Sequence, residues 1–291
     1  MMHSFVCPYD LAPLLFSNLE HQCTACGRRF SVREGVVDFL DHQLGPASEQ
    51  ERKVRDEQIA PEGEDYGNPF RNRVEIPFIL KHLSANDGDV VLDVGCGKGR
   101  VSLPLLKKVR VFLTGVDFSW PALTAFRRKV QTAPNIMLAR ADVAHMPVPC
   151  ESYDHAICSM LLQHLPSDEL VECAVSGMFR ALKPGGNLIV TVLNYGRMTK
   201  RLGYPQIGYF PGTRVFIHHY TPDEILSVLS RRFKVECIVG LVHGLPKITT
   251  PIGRMGLPGI HINAMIDHGW RLLPSLRNYA DVLGVVCHKQ G

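Results

Sequence analysis

The chain has 291 residues, of which 45% are hydrophobic and 21% are charged, and its formal net charge is +4. This composition is ordinary for a globular protein, and the length allows one large domain plus a small one. The modest positive charge argues against a dedicated nucleic-acid binder, and no apolar run is long enough to span a membrane. With nine scattered cysteines and no recognisable signal peptide, we expect a cytoplasmic protein with reduced thiols.

The N-terminal segment contains two pairs of potential metal ligands, Cys7 with Asp10 and Cys23 with Cys26. A zinc ribbon carries two such pairs separated by a short hairpin, normally with two cysteines in each. Because a carboxylate oxygen also binds zinc, these four residues are candidate ligands of one zinc ion. A ribbon that has lost its metal and is held by packing fits the sequence equally well. The segment resembles the Trm112-like zinc ribbon that precedes some methyltransferases.

A linker is predicted at residues 43–74, where a charged run favours a solvated segment that can become helical. Two interpretations of Tyr66 and Arg71 stay open. They belong to a surface linker, or they form a lid over a bound ligand, with Arg71 facing a carboxylate of that ligand. An apolar helix is predicted at 76–83, just before the first core strand.

A glycine-rich turn follows the apolar strand predicted at Val90–Val94. A helix is predicted directly after this turn, with its positive end facing it. Position 100 is Arg100, where the dinucleotide-binding motif has glycine. Asp117 ends the second predicted strand, where a carboxylate can accept hydrogen bonds from both hydroxyls of a ribose. Three residues of the turn permit close approaches that a Cβ would block: Gly95, Gly97 and Gly99.

Strands and helices alternate through the rest of the chain, which predicts an α/β fold with a parallel sheet. A helix is predicted from Ser167 or Asp168 to Leu182, because Ser167 is a typical N-cap and acidic residues follow it. Asp142 follows the third strand and is placed to accept a hydrogen bond from an adenine amino group. Further strands are predicted at 111–116, 135–140, 152–160, 187–193, 233–239 and 280–288.

These motifs resemble the class I S-adenosylmethionine (SAM)-dependent methyltransferases, in particular the UbiE-like, methyltransferase type 11 group. The resemblance covers about residues 75–195 and implies a Rossmann-like, seven-stranded fold with SAM as the cofactor. The motifs that carry it are Leu92-Asp93-Val94-Gly95-Cys96-Gly97-Lys98-Gly99, Gly115-Val116-Asp117-Phe118-Ser119, Ala141-Asp142, Gln163-His164-Leu165-Pro166 and Leu182-Lys183-Pro184-Gly185-Gly186.

The same resemblance implies a role for each residue of the cofactor site. The methionine part of SAM is expected beside the glycine turn, the ribose at the end of the second strand, and the adenine between the second and third strands. The implied cofactor-binding residues are Asp93, Gly95, Gly97, Ser159 and Gln163 at the methionine end, Asp117 at the ribose, and Phe118, Asp142 and Val143 at the adenine.

Two insertions follow the cofactor motifs. Residues 194–220 are rich in aromatic side chains and leave the carboxyl end of a strand, where ligands bind in open α/β sheets. They are expected either to roof an acceptor pocket or to pack on the sheet as a hydrophobic flap. Residues 240–279 are rich in glycine and proline and predict a second covering element or a contact in a homodimer. Their dispersed histidines do not indicate a metal site.

A methyl acceptor with an oxygen or nitrogen nucleophile can require a general base, for which His164 is the first candidate and His219 the second. A purely structural role for His164 is an open alternative.

We expect three parts: a ribbon at 1–42, a linker or lid at 43–74, and a methyltransferase domain at 75–291 with the insertions 194–220 and 240–279. The expected substrate is a small molecule, such as a secondary metabolite or isoprenoid-type acceptor, with the methylated atom undetermined.

Two rival functions remain at this level. An RNA methyltransferase, acting on rRNA or tRNA, would use the ribbon arginines Arg28, Arg29 and Arg33 to bind phosphate. The fourth strand is followed by Ser159-Met160-Leu161-Leu162 instead of an Asn-Pro-Pro-Tyr motif, which argues against methylation of amino groups on bases or glutamine. A non-enzymatic scaffold whose ribbon binds a partner is the second rival.

Overall fold

The computed structural model describes residues 4–42, 44–58, 69–131, 133–210, 212, 214–243, 257–270 and 274–291. Tyr66 and part of the predicted 240–279 insertion lie outside these ranges. Within them, the element order is a four-stranded N-terminal segment, two helices, and then a long alternation of strands and helices.

The described strands form one large sheet and one small hairpin. The sheet contains β1 (Leu14–Phe16), β2 (Glu20–Cys23), β3 (Arg29–Arg33), β4 (Val36–Asp38), β5 (Val90–Val94), β6 (Phe112–Asp117), β7 (Ile136–Arg140), β8 (Tyr153–Ser159), β9 (Leu182–Leu193), β12 (Lys234–His243) and β13 (Ala280–His288). The hairpin pairs β10 (Ile207–Tyr209) with β11 (Phe216–His218).

The prediction of a seven-stranded sheet was wrong in extent, because the sheet has eleven strands in the part of the chain that the structure describes. Seven of them run in the order β7-β6-β5-β8-β9-β13-β12. The N-terminal segment predicted as a ribbon, called the ribbon below, continues this sheet, since β4 pairs in parallel with β7 and places Val36 opposite Leu138. An edge strand exposes unpaired backbone groups, and β4 covers those of β7.

Helices cover both faces of the sheet. They are α1 (Pro46–Gln58), α2 (Pro69–Leu83), α3 (Ser102–Leu106), α4 (Trp120–Val130), α5 (Asp168–Ala181), α6 (Arg197–Arg201), α7 (Pro222–Ser230) and α8 (Leu257–Trp270). The α5 start agrees with the prediction, because the Ser167 side chain accepts a hydrogen bond from the Leu170 N–H. Among the described helices, none has the length and apolar character needed to cross a bilayer.

The hydrophobic core has one part on each face of the sheet. On β5, Leu92 belongs to the cluster that includes α5, whereas Val91 belongs to the cluster that includes α2 and α4. This division follows from the alternation of side chains along a strand. Phe30 and Phe39 of the ribbon lie in the same cluster as Leu92. The ribbon therefore shares a core with the main sheet.

Two local predictions differ from the structure. The helix expected directly after the glycine turn begins only at Ser102 and has five residues. Its positive end therefore contributes little electrostatic potential at the turn. The fifth strand starts at Leu182, five residues before the predicted position, because Leu182 pairs with Tyr153 ahead of an irregularity in the β8–β9 register.

Candidate functional site

A cavity of about 870 Å³ opens at the carboxyl ends of the parallel strands. Gly95 after β5, Asp117 at the end of β6 and Leu161 after β8 line one part of it. Helix α1 and the 194–220 insertion line other parts of it. This is the edge at which open α/β sheets bind ligands, and the volume is within the usual range for small-molecule sites.

Hydrogen bonds between neighbouring turns hold Asp117 in place. The Gly97 N–H donates to Asp117 Oδ2 at 2.8 Å, and the Ser119 N–H donates to Oδ1 at 2.8 Å. Gly97 has φ +52°, and no atom lies within 4 Å of the position that a Cβ would occupy. Burial raises the pKa of Asp117, although these two backbone N–H groups oppose the shift. The carboxylate is thus fixed beside an open stretch of backbone.

The chain segments that follow β6 and β7 form the part of the cavity wall next to Asp117. Phe118, Asp142 and Val143 all line the cavity. Asp142 Oδ1 accepts from the Ala144 N–H at 3.2 Å and begins a short 3₁₀ turn. The Arg140 side chain donates to the Phe118 carbonyl at 3.1 Å, which holds the two strand ends together.

Two of the predicted cofactor residues lie below the cavity surface. Asp93 is buried and accepts a hydrogen bond from the Ser102 hydroxyl. Burial raises the pKa of Asp93 to about 6. Ser159 contacts Arg100 and Glu75 through its hydroxyl and does not line the cavity. The other seven predicted cofactor residues line the cavity.

Arg100 joins the glycine turn to a buried polar network. It forms a two-point ion pair with Glu75 at 2.9 and 3.0 Å and donates to Ser159 Oγ at 2.6 Å. Glu75 also accepts from Thr191 Oγ1 at 2.5 Å. Burial opposes ionisation of Glu75, but the charge and hydrogen bonds of Arg100 lower its pKa. This network fixes the side chain of Arg100, which lines the cavity beside the glycine turn.

Several charged residues that line the cavity were not predicted from the sequence as site residues. Glu51 and Arg55 come from α1, whose charged sequence indicated only a solvated segment, and Asp281 comes from β13. Arg71, which the lid interpretation places at a ligand, lines the cavity as well. Within the described residues, three cavity-lining side chains have a buried polar atom without a hydrogen-bond partner, as expected where a polar ligand binds: Glu51 Oε2, Arg71 Nε and Gln163 Oε1.

The two candidate bases differ in which nitrogen is available. His164 Nδ1 donates to the Phe216 carbonyl at 2.9 Å, and its Nε2 accepts from Arg55 at 3.0 Å. Burial lowers the pKa of His164 to about 3. His219 Nδ1 donates to the Pro205 carbonyl at 2.8 Å, which leaves Nε2 as an acceptor on a cavity-lining side chain. Burial lowers the pKa of His219 as well, so its ring is neutral at pH 7.

The 194–220 insertion is partly a cavity wall and partly packed core. Tyr204, Phe210 and His219 line the cavity, together with apolar residues around the β10–β11 hairpin. Tyr209 is exposed, whereas Tyr220 is buried against the sheet and donates to the Leu162 carbonyl at 3.4 Å. One side of the insertion is therefore a cavity wall and another side is packed core.

The four candidate zinc ligands of the ribbon converge. Their donor atoms all lie within 4.8 Å of one another. Cys7 Sγ and Cys26 Sγ are 3.7 Å apart, and both Asp10 oxygens lie 3.4 Å from Cys23 Sγ. Tetrahedral zinc with Zn–S bonds of about 2.3 Å separates its sulfur ligands by about 3.8 Å. The donor set and its spacing fit a zinc ion.

The central part of the chain is similar in sequence to known methyltransferases. Residues 91–186 match the family model described as a methyltransferase domain. Demethylmenaquinone methyltransferases from several Staphylococcus aureus strains are 33% identical over 113 residues, which are 38% of this chain and 46% of the relative. The match thus spans about half the length of these curated relatives.

Solved structures share the fold at lower sequence identity. The N-methyltransferase NodS from Bradyrhizobium japonicum, solved with S-adenosylhomocysteine, has a TM-score of 0.57 and 15% identity, covering 83% of this chain and 100% of that chain. A complex of the Haloferax volcanii Trm112 methyltransferase activator with a putative methyltransferase gives a TM-score of 0.52 and 15% identity, covering 74% and 88%. The chain therefore has the α/β fold of class I methyltransferases.

Proposed function

We propose that the protein transfers a methyl group from SAM to a small, largely apolar acceptor. One observation carries this proposal. A single cavity is lined both by the glycine turn with Asp117 and Asp142 and by aromatic side chains of the 194–220 insertion. The match of residues 91–186 to a methyltransferase domain supports the same reaction.

The residues at the cofactor end suit SAM. Asp117 would accept from the ribose hydroxyls, and Asp142 from the adenine amino group, beside Phe118 and Val143. The buried guanidinium of Arg71, with Nε lacking a partner among the described residues, would bind the methionine carboxylate. SAM supplies an electrophilic methyl group on a sulfonium. The protein's contribution is to align the acceptor with that methyl group and exclude water.

His219 is the general base that the geometry favours for an oxygen or nitrogen acceptor. Its Nδ1–H is held by the Pro205 carbonyl, so the neutral ring presents an acceptor nitrogen. His164 lacks this property because Arg55 occupies its Nε2. We infer that His164 instead anchors α1 over the cavity, and that α1 forms part of a lid.

The acceptor end suits an apolar ring or chain. Tyr204, Phe210 and Ile217 provide aromatic and aliphatic surface, and His219 is the polar group among them. The S. aureus relatives are named demethylmenaquinone methyltransferases, which also supports a small-molecule acceptor. We therefore favour a phenol- or quinol-type ring as the methyl acceptor, in keeping with the resemblance to the UbiE-like group.

The ribbon is proposed to bind structural zinc through Cys7, Asp10, Cys23 and Cys26. Backbone N–H groups of Ala25 and Cys26 lie 3.4 and 3.3 Å from Cys23 Sγ and would support a thiolate ligand. We divide the chain as before, into the ribbon at 1–42, the lid and linker at 43–74, and the catalytic part at 75–291.

The RNA-binding alternative receives little support from the ribbon. Arg28 pairs with Asp41 at 3.1 Å, and Arg29 pairs with Glu20 at 3.1 Å. Two of the three arginines are thus already paired with carboxylates of the same segment, which reduces their availability to phosphate.

Two experiments test the proposal. Calorimetry measures binding of S-adenosylhomocysteine, and an assay with labelled SAM measures methyl transfer to a panel of phenols, quinols, amines and rRNA. We expect binding of S-adenosylhomocysteine and transfer to an apolar phenol or quinol. Absence of binding would favour the non-enzymatic scaffold. Transfer only to RNA, with an affinity that falls steeply with salt, would favour the RNA methyltransferase.

A further inference from the structure

A second cluster of metal-binding side chains lies where the ribbon meets the cofactor wall. His42 comes from the chain after β4, and Asp142 and His145 come from the loop after β7. His42 Nε2 is 3.6 Å from Asp142 Oδ2, and His145 Nδ1 is 3.9 Å from the same oxygen. The three donor atoms lie within 4.8 Å of one another. Three ligand groups thus converge on one point.

The hydrogen bonds of Tyr9 determine which nitrogen of His42 carries the proton. The Tyr9 hydroxyl has one proton and donates it to Asp41 Oδ1. It therefore accepts from His42 Nδ1–H, at 3.1 Å. With its proton on Nδ1, the His42 ring directs the lone pair of Nε2 toward a carboxylate oxygen. Two lone pairs repel each other, and a cation between them would turn this repulsion into attraction.

The histidine nitrogens at the cluster are otherwise unsatisfied. His42 Nε2 and His145 Nδ1 are both buried, and neither has a hydrogen-bond partner among the residues that the structure describes. Buried polar nitrogen atoms are rarely left without a partner in folded proteins. Asp142 uses its other oxygen, Oδ1, to accept from the Ala144 N–H. The oxygen Oδ2 is thus the one that both rings share.

We propose that His42, Asp142 and His145 bind a divalent transition-metal ion of the zinc class, separate from the cysteine site of the ribbon. Tetrahedral zinc with Zn–N and Zn–O bonds of about 2.0–2.1 Å holds its ligands about 3.4 Å apart. The two separations from Asp142 Oδ2, 3.6 and 3.9 Å, are slightly longer than this value. The chain of hydrogen bonds from His42 through Tyr9 to Asp41 is the outer support that metal-bound histidines usually have.

The location gives the ion a structural consequence. Asp142 lines the cavity, whereas His42 belongs to the chain that leaves the ribbon. A bound ion would therefore cross-link the ribbon to the wall predicted to bind adenine. This link is independent of the β4–β7 strand pairing, which joins the same two parts through backbone hydrogen bonds.

Metal analysis of the full chain tests the proposal without any activity assay. Wild type, His145→Asn, His42→Asn and the control His82→Asn are equilibrated with zinc, desalted and analysed for zinc by mass spectrometry. His82 lies at the end of α2 and outside the cluster. We expect each cluster variant to hold about one zinc equivalent less than wild type, and the control to equal wild type. Circular dichroism establishes that each variant is folded.

The Cys26→Ser variant separates this site from the ribbon site. It should retain the zinc that His145→Asn loses. Equal zinc contents in wild type and a folded His145→Asn would overturn the proposal. So would an unchanged content in His42→Asn alone, because all three ligands are required. Asp142 is left intact in these tests because it also serves the proposed adenine site.

Discussion

The two ends of the cavity are constructed differently. At the proposed cofactor end, turns after neighbouring parallel strands are joined by backbone hydrogen bonds: the Gly95 N–H donates to the Val116 carbonyl at 2.8 Å, and the Ala141 N–H donates to the Asp117 carbonyl at 3.0 Å. At the acceptor end, Tyr204, Phe210 and His219 come from a single insertion whose hairpin strands have three residues each.

In the proposed function, this difference separates cofactor binding from acceptor choice. The sheet determines where strand ends lie, so the cofactor end depends on the stability of the whole core. An insertion can change its side chains with little effect on the sheet. Substitutions at the two ends should therefore change different measured quantities.

Gly99→Ala should have the largest effect, because it disturbs the core under the cofactor turn. An alanine Cβ would lie 2.5 Å from Phe126 Cε2, and Gly99 has φ +79°. The clash and the backbone strain together should lower the free energy of unfolding by about 2 to 5 kcal/mol. Urea denaturation measures this loss.

Gly97→Ala is the matched control for that substitution. It has positive φ in the same turn but nothing within 4 Å of the Cβ position, so we expect a loss of only about 1–2 kcal/mol. Equal losses in the two variants would show that packing against Phe126 does not support the turn.

His219→Gln should lower the rate of methyl transfer by about 100-fold and leave the affinity for S-adenosylhomocysteine unchanged, because it removes a general base. Burial lowers the pKa of His219 from 6.5, so the wild-type rate should fall only below pH 6.5, as the ring becomes protonated. The neighbouring His218→Gln, outside the cavity lining, is the control. A wild-type rate in the His219→Gln variant would contradict the assignment of His219 as the base.

Asp117→Ala should weaken binding of S-adenosylhomocysteine by more than tenfold, because two charge-assisted hydrogen bonds to the ribose are lost. Calorimetry provides the dissociation constant. Asp223→Ala, at an exposed position on α7, should bind as wild type. An unchanged constant in the Asp117 variant would exclude the ribose assignment.

Phe210→Ala should have the smallest effect, raising the KM for the acceptor several-fold through loss of apolar contact. The affinity for S-adenosylhomocysteine should stay at the wild-type value. Tyr209→Ala, an exposed position in the same insertion, should alter neither quantity. A parallel loss of cofactor affinity in the Phe210 variant would mean that the two ends are not separable.

The sequence alone predicted the elements and residues that depend on short stretches of chain. The strand at Val90–Val94, the glycine turn and the Ser167 cap were all predicted because their signals lie within a few residues of one another. The convergence of Cys7, Asp10, Cys23 and Cys26 likewise agrees with their spacing along the chain.

Tertiary structure decided the features that join distant parts of the chain. Arg55 meets His164, Arg100 meets Glu75, and His42 meets Asp142, although each pair is far apart in sequence. The extension of the sheet to eleven strands depends in the same way on β4 meeting β7. Hydrophobic patterns and local motifs specify which element forms, but a charged side chain looks the same in sequence whether it faces solvent or a partner in a buried site. Only packing the elements together reveals which of these charges build the cavity.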